Sequence, residues 1–176
     1  MKNTFLMTAV MIAAILLPNL AQAQSKIAVV DIRLLLTESK AAKSIQSQIK
    51  ERRDSFVNDL ASEEKKLRGM EKTLIEQKAE LSQEDFVEKR QDFEKELIDT
   101  RKEATEKRRD LEEAAAKASQ KLRDEITTIV QEVADESEYD LVLSMQDVVI
   151  GSNTLNITDE VLKRLNKNVS KISVKF

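Results

Sequence analysis

The sequence predicts a mainly α protein with a small β body (α+β), in which a long helical hairpin is inserted between two strand-rich ends. Three observations carry that expectation. Residues 39–136 contain no proline and one glycine, Gly69, with charged side chains almost wherever apolar ones are absent, a composition suited to long helices. Within that stretch the apolar residues form two seams that fall out of register near Ser82. Outside it the apolar segments are short and β-branched, with turn residues between them.

In the first arm Leu60, Leu67, Leu74 and Leu81 keep heptad spacing, with Phe56 and Met70 in the alternate seam positions and Ile45 and Ile49 leading in. A narrow apolar stripe on a long helix needs a partner helix. The second arm offers one, through Phe86, Phe93, Leu97, Ala104, Leu111, Ala115, Ala118, Leu122, Ile126, Ile129 and Val133 at three- and four-residue steps. Continuing the first seam from Leu81 would place Asp85 and Glu88 in apolar positions, so the helix is interrupted between Leu81 and Phe86. Ser82-Gln83-Glu84-Asp85 has the Ser-x-x-Asp form of a capping box, which puts the turn of a hairpin near 82. The competing arrangement is one unbroken helix in a parallel coiled coil. At about 1.5 Å per residue each arm would reach roughly 60 to 80 Å, too thin to be a compact domain.

The remainder divides into two parts. Residues 1–23 read as a secretory signal: a basic head at Lys2, an apolar run from Phe5 to Leu17, then Pro18 and the small-residue site Ala21-Gln22-Ala23, with cleavage after Ala23. Residues 24–38 and 137–176 form a discontinuous β and oligomerisation body. Its strand candidates are Lys26-Ile27-Ala28-Val29-Val30-Asp31-Ile32, Tyr139-Asp140-Leu141-Val142-Leu143-Ser144-Met145 and Val148-Val149-Ile150. Thr158-Asp159-Glu160 is expected to cap a last helix with Val161, Leu162 and Leu165 on its apolar face. The alternation of Ile172, Val174 and Phe176 allows one further strand.

Strands so few leave open edges and too little core. Pairing strands of several chains into one closed body would bury both, and the residues expected at that interface are Ile27, Val29, Val30, Leu141, Val142, Leu143, Val148 and Ile150. With no cysteine in the chain, stability must come from packing or assembly rather than disulfides.

Catalysis is excluded by residue type: there is no histidine or cysteine, and two glycines cannot build a phosphate-binding loop. The reading is therefore no enzyme, no cofactor and no metal. A formal charge of -3, from 29 Lys and Arg against 32 Asp and Glu, argues against nucleic acid as partner. Residues 101–123 nevertheless hold eight basic and five acidic side chains, either a solvated face with ion pairs or a band for anionic headgroups. Four apolar residues near the turn, Ile75, Ala79, Val87 and Ile98, are unused by the seam. They either widen it or meet another chain or client. Gly69, costing about 1 kcal/mol in a helix, is a hinge candidate.

Together these features resemble the OmpH/Skp family of periplasmic chaperones of Gram-negative bacteria. The resemblance covers essentially the whole chain after the signal and rests on Ile27-Ala28-Val29-Val30-Asp31, the charged hairpin, Tyr139-Asp140-Leu141-Val142-Leu143, and Asn156-Ile157-Thr158-Asp159-Glu160-Val161-Leu162-Lys163-Arg164-Leu165. It implies a homotrimer whose strands close a small β-barrel, with three hairpins around a cavity that holds unfolded outer-membrane proteins without ATP. It also implies contact with anionic lipid or lipopolysaccharide, although residues 66–99 carry seven basic and ten acidic residues where members of the family are basic. The alternative function is an exported coiled-coil spacer binding a fixed partner in the envelope. The ending Val174-Lys175-Phe176 has the pattern of an outer-membrane protein's terminal strand, though an accidental apolar end explains it more simply.

Overall fold

The computed structural model describes residues 25–176; the expected signal segment lies outside them. The elements in order are β1 (Ile27–Val30), α1 (Ile32–Glu38), α2 (Lys40–Gln77), α3 (Gln83–Ser137), β2 (Leu141–Ser144) and α4 (Thr158–Asn168), with short 3-10 turns at Met145–Asp147 and Asn153–Leu155. The chain is thus mainly helical with a two-stranded sheet. Helices α2 and α3, of 38 and 55 residues, are antiparallel arms of roughly 55 and 80 Å. Among the described residues no helix is long and apolar enough to cross a membrane.

The turn at 78–82 is closed by Leu81 N–H on the Gln77 carbonyl at 3.0 Å. Ser82 caps α3, its hydroxyl oxygen accepting the Asp85 N–H at 3.1 Å. The reciprocal half of a capping box is altered: the Asp85 carboxylate accepts a hydrogen bond from the Ser82 hydroxyl at 2.6 Å and lies in the first turn, where the helix dipole favours an acid. The register change between the seams is therefore a true turn.

At the other end of the hairpin the strands pair in parallel, Ile27 with Leu141 through Val30 with Ser144. Parallel neighbours need a crossover, and here the crossover is the entire hairpin. Lys26 N–H on the Asp140 carboxylate at 2.7 Å closes the base. On its other edge β1 meets the chain before α4, the Ile157 N–H donating to the Val29 carbonyl at 2.9 Å.

The core lies where the hairpin roots in this body. It joins Ala28 and Val30 of β1, Leu35 of α1, Ala41, Ala42 and Ile45 of α2, Leu122, Ile126, Ile129 and Val133 of α3, and Val161 and Leu165 of α4. Each large side chain buried there contributes about 1.5–3 kcal/mol. Ser39, fully buried, separates α1 from α2: its extended backbone ends one helix while its hydroxyl accepts the Ala42 N–H at 3.1 Å to start the next. Residues 32–38 therefore form a helix separate from the arm. Glu138 ends α3 in the left-handed conformation, φ 56°, satisfying the last carbonyls.

Three expectations are corrected. Val148-Val149-Ile150 is not a strand: the 3-10 turn started by the Ser144 hydroxyl diverts the chain, and Val149 and Ile150 stand 97% and 92% exposed. Residues 169–176 form no strand; the Gln48 side chain takes the Ile172 carbonyl and the Val174 N–H instead. Thr158 is the first residue of α4 rather than its cap; the cap position is Ile157, which makes no side-chain capping bond, and the side-chain oxygen of Asn156 just before it accepts the Thr158 N–H at 2.9 Å.

Candidate functional site

The arm packs through one seam that is tight at the root and loose above it. Ala118, Leu122, Ile126, Ile129 and Val133 are buried, whereas Phe56, Leu60, Met70, Leu74, Leu81, Phe86, Phe93, Leu97 and Leu111 are only half-buried. Two helices cannot enclose a seam from all sides, so water reaches its flanks. Beyond Ile45 at the root, Leu67 is the buried residue of the first seam, at 8% exposure.

Polar ties span the seam instead. Lys66 of α2 pairs with Glu96 of α3, Lys107 of α3 with Asp59 at 3.8 Å, and Lys89 donates to the Gln77 side chain at 2.7 Å near the tip. The hydrogen bond and charge of Glu96, with Glu63 adding, hold the Lys66 ammonium above the ordinary lysine value. Glu103 does the same for Lys107. Both lysines lie at the surface, where such pairs stabilise weakly.

The sequence-identified residues near the turn are all exposed: Ile75 at 68%, Val87 at 46%, Ile98 at 63%, and Ala79 in the turn itself. They do not widen the seam. A fourth large apolar residue of the arm, Val57, is 55% exposed and escaped the sequence reading. Val57 follows Phe56, Ile75 follows Leu74, Val87 follows Phe86 and Ile98 follows Leu97. One residue past the seam is a rotation of about 100°, and in antiparallel helices that rotation leads to the same side of the pair. Val57, Ile75, Val87 and Ile98 therefore form one discontinuous apolar file along one face of the hairpin.

The opposite face, one residue before each seam position, is acidic on α3, with Asp85, Asp92, Glu96, Glu103 and Asp110. Gly69 also lies there, inside an unbroken helix, and a Cβ added to it would meet nothing within 4 Å. In the basic band, Lys107, Arg109 and Lys117 are engaged with Glu103 or Glu113, as a solvated face with ion pairs would have it.

Of the expected interface residues Leu143 and Val148 are half-buried, and the others separate into two groups. Val29 and Val30 are buried within the single chain, and Val142 packs on its core. Ile27, Leu141 and Ile150, together with Val149, remain exposed around a sheet whose β2 has no second strand beside it.

Comparison with known proteins agrees with this geometry. A profile of the family described as outer membrane protein (OmpH-like) matches residues 26–165. The Skp-like protein of Pseudomonas aeruginosa is 26% identical over 159 residues, covering 88% of this chain and 92% of that one. In fold the chain is similar to an OmpH-like protein of Caulobacter crescentus, assigned as a candidate outer-membrane chaperone, with TM-score 0.80 at 16% identity over 86% of this chain and 89% of the other. An arm rooted in a small parallel sheet, and a profile match running from β1 into α4, make this chain a member of the OmpH-like family.

Proposed function

We propose that this protein is an ATP-independent holdase chaperone of the Gram-negative periplasm, binding unfolded outer-membrane proteins and preventing their aggregation before membrane insertion. The observation that carries the reading is the apolar file of Val57, Ile75, Val87 and Ile98 on a projecting arm. Single isoleucines and valines separated by charged residues make many weak contacts and no pocket, which suits an unfolded polypeptide that must stay mobile. Family membership supports a chaperone role, and the chemistry of catalysis is missing from the sequence.

The working form is a homotrimer. Its support is the exposed Ile27, Leu141, Val149 and Ile150 beside an unfilled sheet edge, which strands of further chains would cover. Three arms would then share a root and enclose a client between them. Arginines and lysines of residues 101–123 not held in ion pairs give a secondary contact for anionic headgroups.

The test is dilution of a urea-unfolded outer-membrane β-barrel into buffer with the protein at three chains per client. Suppressed light scattering and a soluble complex on sizing are expected. Unaffected aggregation by a folded oligomer would refute the holdase reading and leave an envelope spacer.

A further inference from the structure

Residues 169–176 lie against the root of the arm. Ile172 is 2% exposed and Val174 packs on the same core. The main chain is held as firmly as the side chains. The Gln48 amide on α2 donates to the Ile172 carbonyl at 2.8 Å, and its oxygen accepts the Val174 N–H at 3.1 Å. One side chain thus brackets Ser173 with the pair of bonds a neighbouring strand would supply. The Gln48 nitrogen also donates to the Ser44 carbonyl and hydroxyl, at 3.0 and 3.1 Å, contacts within α2 that orient the amide without help from the tail.

Beyond Val174 the alternation continues to Phe176, which is 48% exposed at the rim of a cavity. The Phe176 ring lies 5.5 Å from the Arg52 guanidinium, a cation–π distance. It borders a cavity of about 170 Å³ lined by Phe56, Asp59, Lys107, Asp110 and Leu111. Toward the tip a second cavity, of about 230 Å³, shares Phe56, Asp59 and Lys107 and adds Leu60 and Ala104. Phe176 therefore stands at the mouth of a groove that continues toward the tip. Asp59 and Asp110 precede the seam residues Leu60 and Leu111, so this groove is on the face opposite Val57 and Ile98.

We propose that the groove at Gln48, Arg52 and Phe56 is a binding site for an extended polypeptide segment with apolar side chains at alternate positions, and that residues 169–176 occupy it in cis as a displaceable stand-in. The amide reads main chain, which every sequence has; the buried place of Ile172, the half-buried one of Val174 and the rim contact of Phe176 read the two-residue period of a β-strand. Unfolded β-barrel strands have that chemistry. The identity of the competitor rests on the holdase reading, whereas the site itself does not. A tethered segment competes at a high effective concentration, so an untethered strand enters only when it is itself concentrated beside the arm.

The test uses the full chain and a fluorescent peptide of residues 169–176, Val-Ser-Lys-Ile-Ser-Val-Lys-Phe. Ile172→Asp with Val174→Asp removes the anchors on either side of Ser173 and frees the tail from Gln48. By anisotropy this double variant should bind the peptide at least about tenfold more tightly than the unaltered chain, since no tethered competitor opposes it. Adding Gln48→Leu should remove the gain, and a peptide with the alternation scrambled should not bind. Equal binding by the two proteins, or none by either, would overturn the proposal. Should the double variant fail to fold, hydrogen exchange at the Val174 amide of the unaltered chain decides: saturating peptide must accelerate it, and unchanged exchange refutes displacement. Growth of particle size with protein concentration, lost on releasing the tail, would assign the groove to a second copy and also overturn occupation in cis. None of these readings uses an outer-membrane protein, so loss of holdase activity would be recognised separately.

Discussion

The hydroxyl oxygen of Thr158 accepts the main-chain N–H of Asp31 at 2.9 Å, joining residues 127 apart in the chain. Thr158 is 3% exposed and also donates to the Asn156 side chain at 2.6 Å, so one hydroxyl locks the β1–α1 corner to the start of α4. Thr158→Val keeps the shape and removes the acceptor. It should lower stability by about 1–3 kcal/mol, the cost of leaving a buried donor unpaired, read as a lower urea midpoint at unchanged slope.

Root and arm should respond unequally to loss of a leucine. Leu122 is 2% exposed inside the core, and Leu122→Ala should cost about 2–5 kcal/mol. Leu60, half-buried in the open seam, should cost less than about 2 kcal/mol, because water already reaches it. Denaturant titration of the two variants would measure the difference; equal losses would mean the seam is closed by something further in solution.

The four apolar residues Val57, Ile75, Val87 and Ile98 are expected to matter for clients and not for folding. Changing all four to serine should leave the thermal midpoint within a few degrees, since exposed positions contribute about 0.5 kcal/mol or less each. Several-fold more protein should then be needed to suppress aggregation of an unfolded β-barrel. Undiminished suppression would show that clients are held elsewhere.

Gly69→Ala should stabilise α2 by about 1 kcal/mol, because the added methyl group meets nothing within 4 Å. If the glycine serves as a hinge, the gain in thermal stability will come with a smaller range of client sizes held. An unchanged range would leave Gly69 as a tolerated defect.

Stability should be nearly flat across about pH 6–9, since the chain has no histidine to titrate there. On the alkaline side the tie between the arms should fail. The Lys66 pKa is raised in the folded chain by Glu96 and Glu63, so its contribution is complete below the unfolded lysine value near about pH 10.4 and is lost as pH rises through the higher folded value. Lys66→Met should reduce the alkaline loss of helicity measured at 222 nm.

The hairpin was legible because its evidence is periodic: the register break between Leu81 and Phe86 and the serine at 82 localise the turn to within a few residues. The body was harder. Val148-Val149-Ile150 has strand composition, but a strand also needs a neighbour, and one chain supplies none at that edge. Ile75, Val87 and Ile98 were visible as apolar residues off the seam, and Val57 carries the same mark, a position one past a seam residue. Gln48 gave no sign at all. A glutamine on a helix surface is ordinary until the chain that returns 124 residues later is known to lie across it.

The parallel pairing of β1 with β2 has a consequence for the order of folding. Closing a loop of about a hundred residues before any contact forms is entropically unfavourable and slow. Zipping the arms together from the turn at 78–82 shortens that loop to the few residues on either side of the root. The arm should therefore form first and the sheet last. A chain synthesised amino-terminus first would carry β1 unpaired until nearly all the remaining residues had emerged.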